Sequence, residues 1–326
     1  MKRTVILGLV VILCSTPAFA RIKINEDGIS EGNKKKHKRW FFTQTLDDLA
    51  VEGKIKHIPQ NNKVIVPYFR VTFATGGNFL NKEGGVTTSK TRVYSKLNGV
   101  SEDAMQEITN QMYADLLAQL KEAGYEVMDL SELEGNANYQ KLQESSKFPI
   151  IKKTHAQFTP DKRYFPGTIP VKAYMLAREV DALMLQADYT VNFVVLKANE
   201  KKFNILNDKS DVEVSQGINV FGHLAVITES GPVTFRIQQP INSNIVFGQI
   251  EDATTAMNKV SDGVALASSL LSGKFGDRQS TNTVEVTSTN EEYKSAATDA
   301  LSKSNATLAS FMAASINGEE LIEVEE

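Results

Sequence analysis

Lys63-Val-Ile-Val-Pro-Tyr-Phe-Arg-Val-Thr-Phe-Ala-Thr75 decides the fold. Its density of β-branched and aromatic residues, closed by Gly76-Gly77, is that of a largely buried strand. Pro67 has no N–H to give a ladder, so it belongs at a bulge, at an edge or at the start of the strand proper. From Ser101 the period lengthens: Met105, Ile108, Met112, Leu116 and Leu120 fall three or four residues apart. Ser101 suits the cap, Glu102 and Asp103 the positive helix end, and Gly124 the stop. Tyr125-Glu-Val-Met-Asp-Leu130 then reads as a second strand. Strand, crossover helix and strand in this order predict a parallel pair with a right-handed crossover. The fold class expected is α/β (α+β): a mixed sheet with crossover helices packed on it, an antiparallel hairpin near the C-terminal half, and C-terminal helices.

The first twenty residues stand apart. Lys2 and Arg3 form a basic start, Val5 to Leu13 an apolar run and Ala18-Phe19-Ala20 a small-residue cleavage signal, the three parts of a secretory signal peptide. The apolar run is well short of the roughly 20 residues that span a bilayer as a helix. Residues 1–20 are therefore read as a cleaved signal, and the mature chain as exported, periplasmic or outer-membrane-associated. Cys14 lies within that signal, so the mature chain carries no cysteine and its fold needs no oxidative step. Val11-Ile-Leu-Cys14 lacks the small residues that precede an acylated cysteine, which argues against a lipid anchor. Over 326 residues, 41% hydrophobic and 23% charged is the composition of a globular chain with a sizeable core. Removing Lys2 and Arg3 from 36 basic residues leaves 34 against 39 acidic ones, a formal charge of −5. That balance weighs against nucleic-acid binding.

Residues 21–62 are expected to form an N-terminal arm with a basic-aromatic segment. Lys34, Lys35, Lys36, Lys38 and Arg39 run into Trp40-Phe41-Phe42. Cations beside rings suit peripheral contact with an anionic membrane surface. They equally suit a solvated arm whose rings tuck against the domain. Residues 43–52 read as one short helix. The α/β domain is expected over 63–273, and a linker, helix and acidic tail over 274–326.

Within the domain, residues 76–89 read as a long exposed loop between Gly76-Gly77 and Gly84-Gly85 and a strand from Thr91 to Leu97. They hold neither Gly-Lys-Ser/Thr nor Gly-x-Gly-x-x-Gly, so no phosphate cradle is expected. Ser131 starts a short helical stretch through Leu142. Residues 147–170, with Pro149, Pro160, Pro166, Pro170 and Gly167, read as an irregular insertion carrying His155, Tyr164 and Phe165. Tyr164 and Phe165 are candidate partner contacts, or fold over their own domain. A second helix from Val171, with Tyr174, Leu176, Val180, Leu183 and Met184, runs into a strand where Tyr189, Val191, Phe193 and Val195 alternate. Segments 217–227 and 233–238, joined by Glu229-Ser-Gly-Pro232, predict an antiparallel hairpin.

Ile250, Ala253, Met257, Val260, Val264, Ala267 and Leu271 alternate three and four apart, which predicts a helix over 250–271. Its Met257, Val260, Val264 and Leu271 are candidate interface residues between subunits, or face their own sheet. Residues 274–290, rich in Ser, Thr and Asn, read as a linker. A helix over 291–316 follows, with Ala297, Leu301, Leu308, Phe311 and Met312 on one side. Glu319-Glu-Leu-Ile-Glu-Val-Glu-Glu326 is an acidic tail. It either stays solvated or meets a basic site such as the Lys34 to Arg39 cluster of a neighbouring subunit.

Chemistry leaves few traces. His37, His57, His155 and His223 show no metal-ligand spacing, so neither a metal nor a cofactor is expected. No Gly-x-Ser-x-Gly elbow occurs. Asp188 and His223 fall on expected strands and would be raw material for proton transfer if they met. No spacing rule links them, and no catalytic residue is assigned. Carboxylate pairs of the glycosidase kind leave no local signature, so an exported hydrolase acting on cell-wall or surface polymer is the alternative. A soluble small-ligand carrier is a third reading.

The order Lys63-Val-Ile-Val-Pro-Tyr-Phe, Ile108 to Gly124, Tyr125-Glu-Val-Met, then Val171 to Asp188 leading into Tyr-Thr-Val-Asn-Phe-Val-Val resembles one known group. This is the periplasmic α/β domain of the superfamily of curli-secretion channels and penicillin-binding-protein activator lipoproteins. Leu185-Gln-Ala-Asp188-Tyr looks like that group's usual approach to its third strand. Two features depart from the pattern: the missing lipobox and the Pro-rich segment 147–170. The resemblance implies a non-catalytic protein of the bacterial cell envelope. Such a protein binds other envelope proteins, forms a homo-oligomer, and assembles or regulates a periplasmic or outer-membrane complex.

Overall fold

The computed structural model describes residues 22–25, 36–39, 42–45, 47–83, 89–137, 139–140, 148–162, 170–198, 212–254 and 278–318. In chain order these form β1 (Ile22–Asn25), β2 (Lys36–Arg39), β3 (Phe42–Thr45), β4 (Leu49–Glu52), β5 (Lys63–Ala74), β6 (Gly76–Glu83), β7 (Ser89–Asn98) and helix α1 (Glu102–Glu122). Then come β8 (Glu126–Val127), β9 (Ile150–Ile151), β10 (His155–Phe158), helix α2 (Pro170–Glu179), β11 (Leu183–Ala198), β12 (Val212–Thr228) and β13 (Gly231–Ile237). β14 (Ile241–Asn242), β15 (Gln249–Asp252), β16 (Arg278–Thr287) and helix α3 (Asn290–Asn317) complete the chain. The fold is mixed α/β.

The main sheet has the order β4-β13-β12-β11-β5-β10-β9, with β1 and β14 also on β12 and β8 on β5. Strand β5 runs parallel to β8 and to β11, and β12–β13 is the expected antiparallel hairpin. Helix α1 therefore is the crossover between two parallel strands of one sheet, although β8 contributes two residues rather than six. A smaller sheet has the order β15-β16-β7-β6.

Pro67 sits at a bulge. Ile65 pairs with Met184 and Tyr68 with Gln186, so β5 spends one residue more than β11 across this point. The extra residue inverts the pleat. Val64 and Val66 join the large core before it, and Phe69, Val71 and Phe73 after it. Tyr113 Oη donates to the Val66 carbonyl at 3.0 Å, and the Phe69 ring lies 5.6 Å from the rings of both Tyr113 and Tyr189.

The core side of the sheet is covered by α1 and α3, which run parallel. Lys294 pairs with Glu107 at 2.9 Å, Ser302 Oγ donates to Asp115 Oδ1 at 3.1 Å, and the buried Asn305 donates to the Met112 carbonyl and to Asp115 Oδ2 at 3.0 and 2.7 Å. Ala296, Ala297, Ala300, Leu301, Leu308 and Met312 of α3 are fully buried, the small residues letting the helix lie close to the strands. On the opposite side α2 places Ala173, Leu176 and Ala177 over Ile65, Tyr68, Met184 and Ile227. That helix covers one end of the sheet and no more.

Several expectations are corrected. Residues 76–83 form a strand and not a loop: β6 pairs antiparallel with β7 along its whole length. Residues 43–52 hold two strands rather than a helix, and β4 lines the edge of the main sheet beside β13. Segment 147–170 is irregular in part only, since β10 pairs with β5 through His155↔Ala74 to Phe158↔Val71. Leu183 and Met184 open β11 instead of ending the second helix, which stops at Glu179. Ile250 lies in β15, so no helix begins there. The remainder of the expected seam, 255–271, lies outside the described residues. The expected linker 274–290 contains β16, a ten-residue strand parallel to β7. Thr281, Thr283, Glu285 and Thr287 at alternate positions suit a strand with one more exposed face, which composition alone does not distinguish from a linker.

Candidate functional site

Alternation along five strands builds one polar surface. In β11 the odd positions Leu185, Ala187, Tyr189 and Val191 are buried under the helices, so Gln186, Asp188, Thr190 and Asn192 face the other way. The pleat of the neighbours keeps this phase. Asp188 stands beside Arg70 of β5 and opposite His223 of β12, and His223 stands opposite Arg236 of β13. Glu52 of the edge strand β4 lies one step along, opposite Thr234. The row Arg70–Asp188–His223–Arg236–Glu52 thus crosses five strands on the side of the sheet opposite α1 and α3.

The charges in this row are matched. Arg70 Nη2 donates to Asp188 Oδ2, with the two side chains 30% and 16% exposed, and the guanidinium sits 5.8 Å from the centre of the Tyr68 ring. Arg236 donates from Nε to Glu52 Oε1 at 2.9 Å and from Nη2 to Oε2 at 3.2 Å, a bidentate pair. This hydrogen bond holds the Glu52 carboxyl below its ordinary range. His223 lies between the two pairs. Burial lowers its pKa; Asp188 and Glu52 oppose that shift, while Arg236 and Arg70 add to it. Asp188, Thr190, Phe221, Gly222, His223, Arg236, Ile237 and Gln238 line a shallow cleft of about 510 Å³.

Chemically this surface offers cations, carboxylates, amide and hydroxyl groups and the Phe221 ring at strand spacing, about 4.8 Å from one strand to the next. Asp188 and His223 do meet, as neighbours across β11 and β12. The Asp188 carboxylate is engaged by Arg70. Among the described residues no three His, Asp or Glu side chains converge as a metal site. A second recess, lined by Gln60, Asn61, Gly124, Tyr125, Ile316 and Asn317, lies where α1 and α3 end. Burial pushes the Tyr125 hydroxyl up to about 12.

The candidates named from sequence are not gathered here. Tyr164, Phe165, Met257, Val260, Val264, Leu271, Lys34, Lys35 and Trp40 lie outside the described residues. Lys36, Lys38 and Arg39 lie in β2, paired with β3 through Lys36↔Thr45, Lys38↔Thr43 and Arg39↔Phe42. Arg70, Arg236 and Glu52 were not anticipated. A signal existed: Arg70 in Tyr-Phe-Arg-Val-Thr-Phe and Arg236 in Val-Thr-Phe-Arg-Ile are lone charges inside apolar strands, which marks the solvent side of a pleat. No helix among the described residues is long and apolar enough to cross a membrane. Comparison of the chain with protein-family models, with curated proteins and with solved structures gives no match.

Proposed function

We propose that the chain is an exported, non-catalytic docking protein of the bacterial cell envelope that binds other envelope proteins through the polar face of its main sheet. The observation that carries this reading is the row Arg70–Asp188–His223–Arg236–Glu52 on the face of the sheet away from α1 and α3. Matched ion pairs on a rigid sheet cost little to reorganise and present complementary charge to a partner, which sets register and specificity more than affinity. The resemblance to the periplasmic α/β domains of export channels and activator lipoproteins belongs to the same proposal, as do the cleaved signal and peripheral membrane contact of the arm.

The experiment is capture from envelope extracts by the mature chain, compared with Arg236→Glu and Thr190→Arg variants that keep its melting temperature. A stoichiometric envelope protein, retained by the parent and lost from both variants, is expected. Retention by both variants removes this face as the docking surface. The alternative, an exported hydrolase of cell-wall or surface polymer, rests on the adjacency of Asp188 and His223. It predicts polymer turnover by the parent that Asp188→Ala and His223→Ala each abolish.

A further inference from the structure

A recess of about 340 Å³ lies where α1 and α3 end. One wall is the loop Gln60-Asn61-Asn62 before β5, the second is Ala123, Gly124 and Tyr125 between α1 and β8, and the third is Ala313, Ile316 and Asn317 of α3. Each wall is fixed by local hydrogen bonding. Helix α1 stops at Gly124, whose φ of +92° favours glycine, and Tyr125 N then donates to the Leu120 carbonyl at 3.0 Å. Asn61 pins the loop: its Oδ1 accepts from Lys63 N at 2.9 Å and its Nδ2 donates to the Asp181 carbonyl at 3.0 Å. The Asn62 carbonyl accepts from Glu126 N at 2.9 Å. Gly318, at φ +74°, ends α3 by donating to the Ala314 carbonyl.

No lining side chain is charged, although 23% of the chain is. Asn61 is committed to the fold, but the amides of Gln60, Asn62 and Asn317 and the Tyr125 hydroxyl have no hydrogen-bond partner among the described residues. Gln60, Asn62 and Asn317 are exposed. Tyr125 is half-buried against the large core, as are Ala123 and Ile316, and burial keeps its hydroxyl protonated up to about 12. Each amide both donates and accepts, and a phenol does the same. The last turn of α3 holds no basic residue, so the negative end of its dipole lies uncompensated at this recess. That field disfavours an anion and favours O–H and N–H donors.

We propose that this recess binds one uncharged sugar residue. Its hydroxyls pair with the amides of Gln60, Asn62 and Asn317 and with Tyr125 Oη, and the C–H face of its ring rests on Ala123, Ala313 and Ile316. A sugar hydroxyl donates and accepts at once, which is what an amide and a phenol require of a partner. An apolar ligand would strip water from four polar groups and return no hydrogen bond. A cation would find no carboxylate in the lining. The volume is at the small end of ligand pockets, about 300–1,000 Å³, and suits a single ring. Each hydrogen bond competes with water at a partly exposed rim, so binding is weak, in about the millimolar range. A free monosaccharide and the terminal residue of a glycan share this chemistry. The recess has no lining residue in common with the cleft on the main sheet, so the two proposals stand or fall separately.

An NMR titration of the isotope-labelled chain 21–326, read at the side-chain amide signals of Gln60, Asn62 and Asn317, tests it. The probes are glucose, galactose, N-acetylglucosamine and chitotriose, with glucuronate and choline as charged counterparts. Saturable shifts of these amides with at least one neutral sugar, and weaker response to both charged probes, are expected. Tyr125→Phe and Asn62→Ala, each at the melting temperature of the parent, should weaken that sugar by about three- to tenfold. Gln60→Ala, at an exposed position, gives the same reading if Tyr125→Phe lowers the melting temperature. Chitotriose binding at least as tightly as N-acetylglucosamine supports the proposal with a glycan as the source, and binding of monosaccharides alone supports it with a free sugar. Absence of shifts with every neutral sugar overturns it. So do shifts that the variants leave unchanged, and a stronger response to glucuronate or choline than to any neutral sugar.

Discussion

The ring of Tyr189 packs against Gly222, its partner on the adjacent strand. A Cβ at Gly222 would overlap the ring carbons Cδ1 and Cε1. Tyr189 is fully buried and stacks towards Phe69, so it has no room to withdraw. Gly222→Ala is expected to destabilise the protein by about 1–3 kcal/mol through overpacking, read as a lowered urea midpoint. Adding Tyr189→Leu should make the glycine substitution nearly neutral, because the two positions are coupled through this one contact.

Asp188 anchors the row on the polar face. Asp188→Asn keeps the shape but removes the charge that the Arg70 guanidinium meets on a partly buried surface. A loss of about 1–3 kcal/mol is expected for a hydrogen bond to a charged group. Urea unfolding at neutral pH measures it. The loss should shrink when Arg70→Met is already present.

His223 links stability to pH. Burial, with Arg236 and Arg70, lowers its folded pKa below the ordinary value near 6.5. The unfolded chain then binds the proton more readily, so stability is full above that ordinary value and falls as pH drops from it towards the folded pKa. His223→Gln should flatten the stability curve across this window. An unchanged slope in that variant assigns the acid sensitivity to other groups.

Helix α3 is fixed at its start by a reciprocal cap. Thr289 Oγ1 accepts from Glu292 N at 3.2 Å, and Glu292 Oε2 accepts from Thr289 N at 3.1 Å. Thr289→Ala should cost about 1 kcal/mol, seen as a lower thermal midpoint with helical content unchanged. Because α3 supplies one wall of the core, the loss should appear in global unfolding.

Much of the fold was legible locally. The apolar run around Phe69, the period of Met105 to Leu120, the cap at Ser101 and the turn before Pro232 are short-range patterns, and each produced the element it suggested. Pro67 marked its bulge for the same reason, since a missing N–H is a property of one residue. Weak strands failed. Residues 76–83 and 278–287 look like loop and linker because their Gly, Ser, Thr and Asn content is explained by partners elsewhere in the chain, β7 serving both. The start of the apparent seam is corrected in the same way, since Ile250 pairs with Val286, while 255–271 lies outside the described residues.

The candidate site divided along the same line. Sequence by itself determined that Arg70, Asp188, His223 and Arg236 each interrupt an apolar strand, and that 319–326 is acidic. Tertiary structure alone decided that the four stand in one row, because strand order and register are set by contacts between residues tens to more than a hundred positions apart. No periodicity within a strand reports which strand lies beside it. Once the core side of each strand is buried, the charges left on the other side have no choice but to face one another.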